Sequence, residues 1–156
     1  MIELPDIKRR KPRPPYKKPE AVKNLEQLLF EDDLHRHPSM KREHMARRKL
    51  RDDRASGLTT CIVSYAKLTG HFASRLNNTG IYRNGKFTRS TARRGLPDIL
   101  ITRDGQSIFV EVKVGKDRMS EHQRKVQNEQ QQSGGLYMVA RSFTQFKTWF
   151  DNLTEV

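Results

Sequence analysis

Within residues 95–113, Asp98, Glu111 and Lys113 place two carboxylates and an ammonium group at a spacing that suits chemistry on a phosphate group. In this segment, GLPDILITRDGQSIFVEVK, Asp98 follows Pro97, and Glu111 precedes Lys113 by two positions. Side chains on a β-strand alternate between its faces, so Glu111 and Lys113 point the same way if they lie on a strand. Hard divalent cations prefer oxygen ligands. Two carboxylates and a lysine that converge beside a sheet can hold such a cation and act on a phosphate.

Two short strands must position these groups. Residues 96–102 are apolar and rich in β-forming types, Asp104-Gly105 is a strong hairpin signal, and residues 107–114 alternate in polarity. Asp98 then lies where the hairpin partner of Glu111 would stand. The uniformly apolar face of the second strand belongs against a core and comprises Ile108, Val110, Val112 and Val114. The alternative is a surface strand with a solvated Glu and Lys, but isolated charges inside apolar runs are costly.

Composition and charge narrow the class of protein. The 156 residues support one domain with tails, and 34% hydrophobic against 31% charged residues predict a modest core. The net charge of +13 favours a polyanionic partner such as nucleic acid. Cys61 is the one cysteine, which excludes an internal disulfide. No apolar run approaches about 18 residues. We therefore expect a soluble, cytoplasmic, nucleoid-associated protein with no membrane contact.

The chain divides into three parts. Residues 1–19 hold five prolines and seven Lys or Arg against two acids, which predicts a disordered basic arm. The arm is either a tether to DNA or a solubilising tail. Residues 20–56 predict a helical basic extension, with an amphipathic helix over 20–34 and a very basic helical stretch over 39–54. Residues 57–156 predict the main folded domain.

The sequence pattern of residues 57–156 predicts an α/β fold with a central mixed β-sheet flanked by helices. A helix over 58–68 precedes a strand pair over 71–87, and the hairpin that bears Asp98 and Glu111 follows. After a polar loop at 115–118, a helix over 120–132 leads to a buried strand at 136–140. Ser142 then caps a last helix with an aromatic stripe, which is either core packing or a platform for nucleobases.

The motifs resemble a known nuclease signature. Pro97-Asp98 followed by Glu111-Val112-Lys113 resembles the PD-(D/E)XK pattern. Together with Arg75–Asn78, Gly95–Asp98 and Ser120–Gln123, the run over about residues 57–150 is similar to the VRR-NUC branch of that superfamily. The resemblance implies a restriction-endonuclease-like core. It also implies a stand-alone endonuclease of phage or bacterial type that depends on Mg²⁺, with Mn²⁺ as a substitute, and that cuts double-stranded or branched DNA such as junctions or flaps.

The resemblance also implies roles for individual residues. Asp98, Glu111 and the Val112 backbone carbonyl would bind the metal, and Lys113 would orient the attacking water or stabilise negative charge. Gln123 would point at the active site, although Ser120 and Gln123 also match a capping box in which each side chain satisfies the other residue's backbone N–H. Contacts to DNA phosphates would come from Arg75, Asn77, Arg93 and Arg94.

One departure from the family pattern keeps a second function open. Many members carry an acid on the first helix that completes the metal site, whereas residues 58–69 contain no acid and offer only hydroxyl groups such as those of Thr59, Thr60 and Ser64. A water, or the more distant Asp52 or Asp53, would have to fill that coordination position. The alternative function is a catalytically degenerate DNA-binding module that recruits or positions other factors. Symmetric cuts in both strands would require two sites, so a homodimer also stays open.

Overall fold

A computed structural model describes residues 15–76, 81–88 and 92–153 of the protein. The helices of this part are α1 (Glu20–Arg36), α2 (Ala55–Leu68), α3 (Glu121–Gln132) and α4 (Phe143–Asp151). The strands are β1 (Phe72–Arg75), β2 (Ile81–Arg83), β3 (Lys86–Thr88), β4 (Ile99–Arg103), β5 (Gln106–Val112) and β6 (Leu136–Ala140). Across the described ranges, no helix combines the length and the apolarity that a membrane crossing needs.

A four-stranded mixed sheet forms the centre of the fold. Its strand order is β1-β4-β5-β6, with β1, β4 and β5 antiparallel and β6 parallel to β5. Asp104 and Gly105, with φ of 50° and 78°, make the tight turn between β4 and β5. The parallel pair is joined through α3, as a crossover requires. The predicted α/β class with a mixed sheet flanked by helices is therefore confirmed.

The predicted strand pair over 71–87 divides between two sheets. β2 and β3 form a separate two-stranded ribbon around Asn84-Gly85, which are both in the left-handed region. β1 instead pairs with β4, with Arg75 opposite Ile99. Local turn signals do not predict that β1 pairs with β4, because the paired residues are more than twenty positions apart in the sequence.

The apolar face of β5 lies in one hydrophobic core with α2 and α4. Ile108 and Val110 are fully buried there, together with α2 residues such as Ile62. Phe146 and Phe150 of α4 are buried with stacked rings, whose centroids lie 5.2 Å apart. The buried part of the aromatic stripe is therefore core packing, which was one of its two interpretations.

The other face of β5 carries α3. The Gln130 side-chain amide near the end of this helix donates to the Ser107 hydroxyl at 2.8 Å and to its backbone carbonyl at 3.2 Å. Phe109 and Glu111 lie on the same face of β5 as Ser107. The helix therefore runs over the surface on which the proposed acid stands.

The basic extension is only partly helical. α1 matches the predicted helix, and its residues Val22, Leu25 and Leu29 are buried in the same core as α2 and α4. The predicted helix over 39–54 is wrong, because between α1 and α2 the only helical turn is the 3₁₀ turn Arg42–His44. This segment has few apolar residues with which a helix could bury a face.

Cations of this segment contact α1 instead. Arg42 pairs with Glu31 and Arg48 pairs with Asp33, each at 2.8 Å. The Arg47 guanidinium lies 4.3 Å from the centre of the Phe30 ring. A largely extended chain brings these side chains to successive sites along α1, which a separate helix would not do.

Asp52 joins the extension to the rest of the fold. Its carboxylate is 6% exposed and accepts from the Tyr16 hydroxyl at 2.8 Å and from the Phe143 backbone N–H at 3.0 Å. The second bond caps the start of α4. Burial and the Asp52 hydrogen bond raise the pKa of Tyr16 to about 12. The prediction of a disordered arm is therefore wrong for Tyr16, which Asp52 holds in place, and residues 1–14 lie outside the described ranges.

Candidate active site

The β4–β5 hairpin brings Asp98 and Glu111 to one face of the sheet. Ile99 pairs with Val110, and continuing this register by one residue sets Asp98 opposite Glu111. The Asp98 carboxylate accepts from the Val112 backbone N–H at 2.8 Å. This bond fixes the Asp98 side chain against the end of β5, beside the Glu111 backbone.

Glu111 is a buried carboxylate with only one oxygen paired. Glu111 and Lys113 are 2% and 6% exposed, and the Lys113 ammonium lies 3.0 Å from Glu111 Oε1. The same oxygen accepts from the Gln123 side-chain amide. Among the described residues, Glu111 Oε2 has no hydrogen-bond partner although it is buried. A half-satisfied buried charge costs free energy, and such costs are typical of functional sites.

Burial dominates the electrostatics of the pair. It raises the pKa of Glu111 to about 7, with Lys113 acting to lower it and the charge of Asp98 acting to raise it further. Burial alone would lower the pKa of Lys113, but its hydrogen bond to Glu111 and the charges of Glu111 and Asp117 raise it overall. Lys113 therefore stays an ammonium, and Glu111 lacks a counter-charge on its free oxygen.

Gln123 fulfils both of the roles that the sequence left open. Its amide oxygen accepts from the Ser120 backbone N–H at 2.9 Å, and its own N–H donates to the Ser120 hydroxyl at 3.3 Å, which completes the capping box. Its amide nitrogen donates to Glu111. Because the cap fixes the oxygen, the nitrogen must face the carboxylate.

Gly95 allows the loop before β4 to pass close to the start of α3. Its φ is +84°, in the left-handed region that favours glycine. A Cβ at this position would lie 2.4 Å from the His122 backbone oxygen and 2.9 Å from the Gln123 backbone nitrogen. The glycine of the motif therefore sets the separation between the loop that delivers Asp98 and the helix that delivers Gln123.

The donor set fits a hard divalent cation. Asp98, the free oxygen of Glu111 and the Val112 carbonyl offer oxygen atoms only, which is what Mg²⁺ prefers when waters complete its shell. Glu111 Oε2 is buried and has no partner among the described residues, so a cation bound there would supply the positive charge that this oxygen lacks. Within the described ranges, however, no group of three or more His, Cys, Asp or Glu side chains is arranged for a metal.

Asp52 and Asp53 do not fill the place of the missing helix acid. Asp52 uses both carboxylate oxygens for Tyr16 and the start of α4, and Asp53 pairs with Arg51 at 2.7 Å. Of the two options for that coordination position, a water or one of these acids, the structure disfavours the acids, because both are already paired. Both acids serve the packing of the segment that precedes α2.

Asp117 is a site neighbour that the sequence analysis missed. Its carboxylate lies 3.5 Å from the Lys113 ammonium, and it is largely exposed. The sequence pattern indicates only a polar loop over residues 115–118. The signal that was available is an acid four positions after Lys113, beyond a glycine, and Gly115 does adopt a positive φ of 64°.

Two of the four predicted DNA contacts, Arg75 and Arg93, bind to different helices. The Arg75 guanidinium donates to the Ser56 carbonyl at 2.8 Å and to the Thr60 hydroxyl at 3.1 Å, at the start of α2. Arg93 pairs with Glu129 of α3, and Arg94 is exposed. Asn77 lies outside the described residues. Their contact with nucleic acid stays a prediction.

Comparison with known proteins agrees with the motif. The family model of the VRR-NUC domain matches residues 39–144. A solved structure titled "VRR_NUC domain" is similar at 22% identity with a TM-score of 0.49, covering 64% of this chain and 97% of that one. A search of curated proteins gives no significant match. The family match covers more than half of the sequence, so the chain belongs to the VRR-NUC domain family, which is of nuclease type.

Proposed function

We propose that the protein is a Mg²⁺-dependent endonuclease that hydrolyses phosphodiester bonds in DNA. The observation that supports this most is the half-paired, buried Glu111 carboxylate, with Asp98 opposite it and Lys113 beside it. A purely structural ion pair would gain by satisfying both carboxylate oxygens. The net charge of +13 suits a polyanionic substrate.

Asp98, Glu111 and the Val112 carbonyl would hold Mg²⁺ or Mn²⁺. When bound, such an ion lowers the pKa of a coordinated water and withdraws charge from a phosphoryl oxygen. Asp98 is already oriented by the Val112 N–H, and Glu111 is oriented by Gln123 and Lys113. The protein would therefore present its ligands with little rearrangement.

Lys113 would serve the phosphate rather than the metal. Its ammonium is buried, stays charged, and is held between Glu111 and Asp117. A fixed positive charge next to the scissile phosphate would stabilise the negative charge that develops there and orient the attacking water. Gln123 would act by keeping Glu111 in place.

The preferred substrates would be junctions, flaps or other branched DNA. The exposed Arg94 and neighbouring Arg93 lie on the chain that leads to Asp98, where they can contact phosphates that flank the cleaved bond. Neutralising phosphates releases counterions, so binding should weaken steeply with salt. A homodimer would supply the second site that paired cuts need.

A DNA-binding module without turnover is the second candidate. It is favoured by α2, which carries no acid, and by the lack of a three-carboxylate cluster within the described part of the chain. Such a protein would bind the same DNA with equal affinity whether or not Mg²⁺ is present, and would not cut it.

A panel of substrates and matched variants separates the two. Branched, flap, linear and single-stranded DNA are incubated in Mg²⁺, Mn²⁺, Ca²⁺ or EDTA with the wild type, Asp98→Asn and Lys113→Met. Asp104→Asn and Lys116→Met are the controls, because Asp104 lies at the far end of the same hairpin and Lys116 is exposed.

If the protein is the enzyme, we expect metal-dependent cleavage whose rate falls by about 100- to 1,000-fold in Asp98→Asn and Lys113→Met. Both variants should still bind DNA in Ca²⁺. Both controls should cut at the wild-type rate. Undiminished cutting by Asp98→Asn and Lys113→Met would refute the assignment of the site. Tight binding with no cutting by the wild type in any metal would support the module.

A further inference from the structure

Tyr137 is a buried phenol on the same face of the sheet as Glu111. It lies on β6 opposite Phe109 of β5, and Glu111 is the next residue of β5 on that face. Its ring packs edge-to-face on Phe109 with the centroids 6.4 Å apart. The hydroxyl oxygen is buried and, among the residues that the structure describes, has no hydrogen-bond partner.

This hydroxyl differs from those of the other tyrosines that the fold buries in part. The Tyr65 hydroxyl donates to Asp151 at 2.6 Å, and the Tyr16 hydroxyl donates to Asp52 at 2.8 Å. Buried phenols usually find such a partner. Within the described ranges, the buried side-chain atoms that lack one are Tyr137 Oη and Glu111 Oε2.

The two unpaired atoms share one electrostatic environment. Burial raises the pKa of Tyr137, and the charges of Glu111 and Asp98 raise it further. The phenol therefore remains protonated and can donate a hydrogen bond, and Glu111 and Asp98 are near enough to act on it electrostatically. A buried water needs two to four polar partners, and these three side chains can supply them.

We infer that Tyr137 is a positioning residue for Glu111, whose hydroxyl donates to a water that in turn donates to Glu111 Oε2. A carboxylate oxygen has two lone-pair sites, so this water leaves one of them for a cation. Glu111 would then be oriented on both oxygens, by Lys113 and Gln123 on one and through Tyr137 on the other. The inference rests on the proposed metal-binding function of Glu111.

Hydrogen bonds to a ligand carboxylate set metal affinity, and removing one typically costs about 10- to 100-fold. Tyr137→Phe removes the hydroxyl and keeps the ring on Phe109, so the core packing is unchanged. Tyr65→Phe is the matched control. It also removes a hydroxyl from a partly buried tyrosine, but this one is bonded to Asp151 on α4 and packs on the opposite side of the sheet.

The test is calorimetric titration of the full chain with Mn²⁺ in the absence of DNA. The wild type and Tyr65→Phe should bind Mn²⁺ with the same affinity, and Tyr137→Phe should bind it about tenfold more weakly or worse. Thermal unfolding in EDTA should show little loss of stability in Tyr137→Phe, because the hydroxyl bonds no described protein group directly and the ring keeps its contact with Phe109.

Three outcomes would overturn the inference. Equal Mn²⁺ affinity of Tyr137→Phe and the wild type would remove Tyr137 from the site while leaving the proposed function intact. Equal weakening by Tyr65→Phe and Tyr137→Phe would point to a general effect of lost hydroxyls. Absence of Mn²⁺ binding by the wild type would refute the metal site itself, and the role of Tyr137 with it.

Discussion

Replacing Gly95 by alanine should damage the candidate active site without removing any side chain from it. The new Cβ would lie 2.4 Å from the His122 backbone oxygen, 2.5 Å from its carbonyl carbon and 2.9 Å from the Gln123 backbone nitrogen. These are main-chain atoms at the first turn of α3, so no flexible side chain can swing aside. The helix start and the loop must move apart.

Two costs follow from the geometry. Reaching ordinary contact, which begins at 3.4 Å, requires a displacement of about 1 Å. A misplacement of that size in a catalytic arrangement costs about 100-fold in rate. The left-handed φ of +84° adds about 1–2 kcal/mol of strain for a residue with a Cβ. The displaced turn carries Gln123, so Glu111 loses a donor that orients it.

Gly70→Ala isolates the displacement from the strain. Gly70 has nearly the same φ, +86°, and a Cβ there would meet nothing within 4 Å. Both variants should lose similar stability from strain in chemical denaturation, with a further loss in Gly95→Ala from the clash. Single-turnover cleavage in Mg²⁺, measured well below the unfolding midpoint, should fall about 100-fold in Gly95→Ala only. Equal cleavage rates for the two variants would show that the loop–helix separation does not matter for the site.

Three further predictions concern acids and amides of the same fold. In EDTA, the pKa of the buried Glu111 carboxyl is about 7 in the folded protein and 4.5 in the unfolded chain. The folded state therefore binds more protons in that window, and the free energy of unfolding should drop as pH rises from 4.5 to 7, by on the order of 2–3 kcal/mol. Glu111→Gln should abolish this fall in the free energy of unfolding. If the variant still loses stability between pH 4.5 and 7, Glu111 is not the group that titrates. Asp52→Asn should lower the free energy of unfolding by about 1–3 kcal/mol, because the amide cannot accept from both Tyr16 and the start of α4. The control is Asp53→Asn, which removes an ion pair near the surface and should change the free energy of unfolding by less than about 1 kcal/mol. Gln123→Ala should slow cleavage by about 10- to 100-fold. Gln130 lies on the same helix but bonds Ser107 of β5, so Gln130→Ala should affect denaturation only. Equal effects of the two variants on the cleavage rate would argue against a specific role for Gln123.

The features that the sequence predicted correctly are those with local causes. The Asp104-Gly105 turn and the alternation along β5 fix the hairpin, and the hairpin register fixes which acid stands opposite Glu111. Ser120 and Gln123, three positions apart, define where α3 begins. In each case the determining residues lie within about ten positions of one another, so pattern and spacing suffice.

The features that the sequence did not reveal depend on distant partners. Nothing near Asp52 indicates that it would cap a helix 91 positions further on. The extended course after α1 follows from cations that meet acids of another element, whereas their local pattern favoured a helix. The unpaired oxygen of Glu111 depends on which atoms of Lys113 and Gln123 reach it, and spacing does not specify that.

α1 lies upstream of the region that the family model matches, yet it belongs to the same hydrophobic interior. Val22, Leu25 and Leu29 are 0%, 1% and 4% exposed, and the match begins only at residue 39. A recombinant fragment that begins at residue 39 would lose these side chains and expose apolar surfaces of α2 and α4 to water. Any shortened version for crystallisation or assay should therefore start before Tyr16.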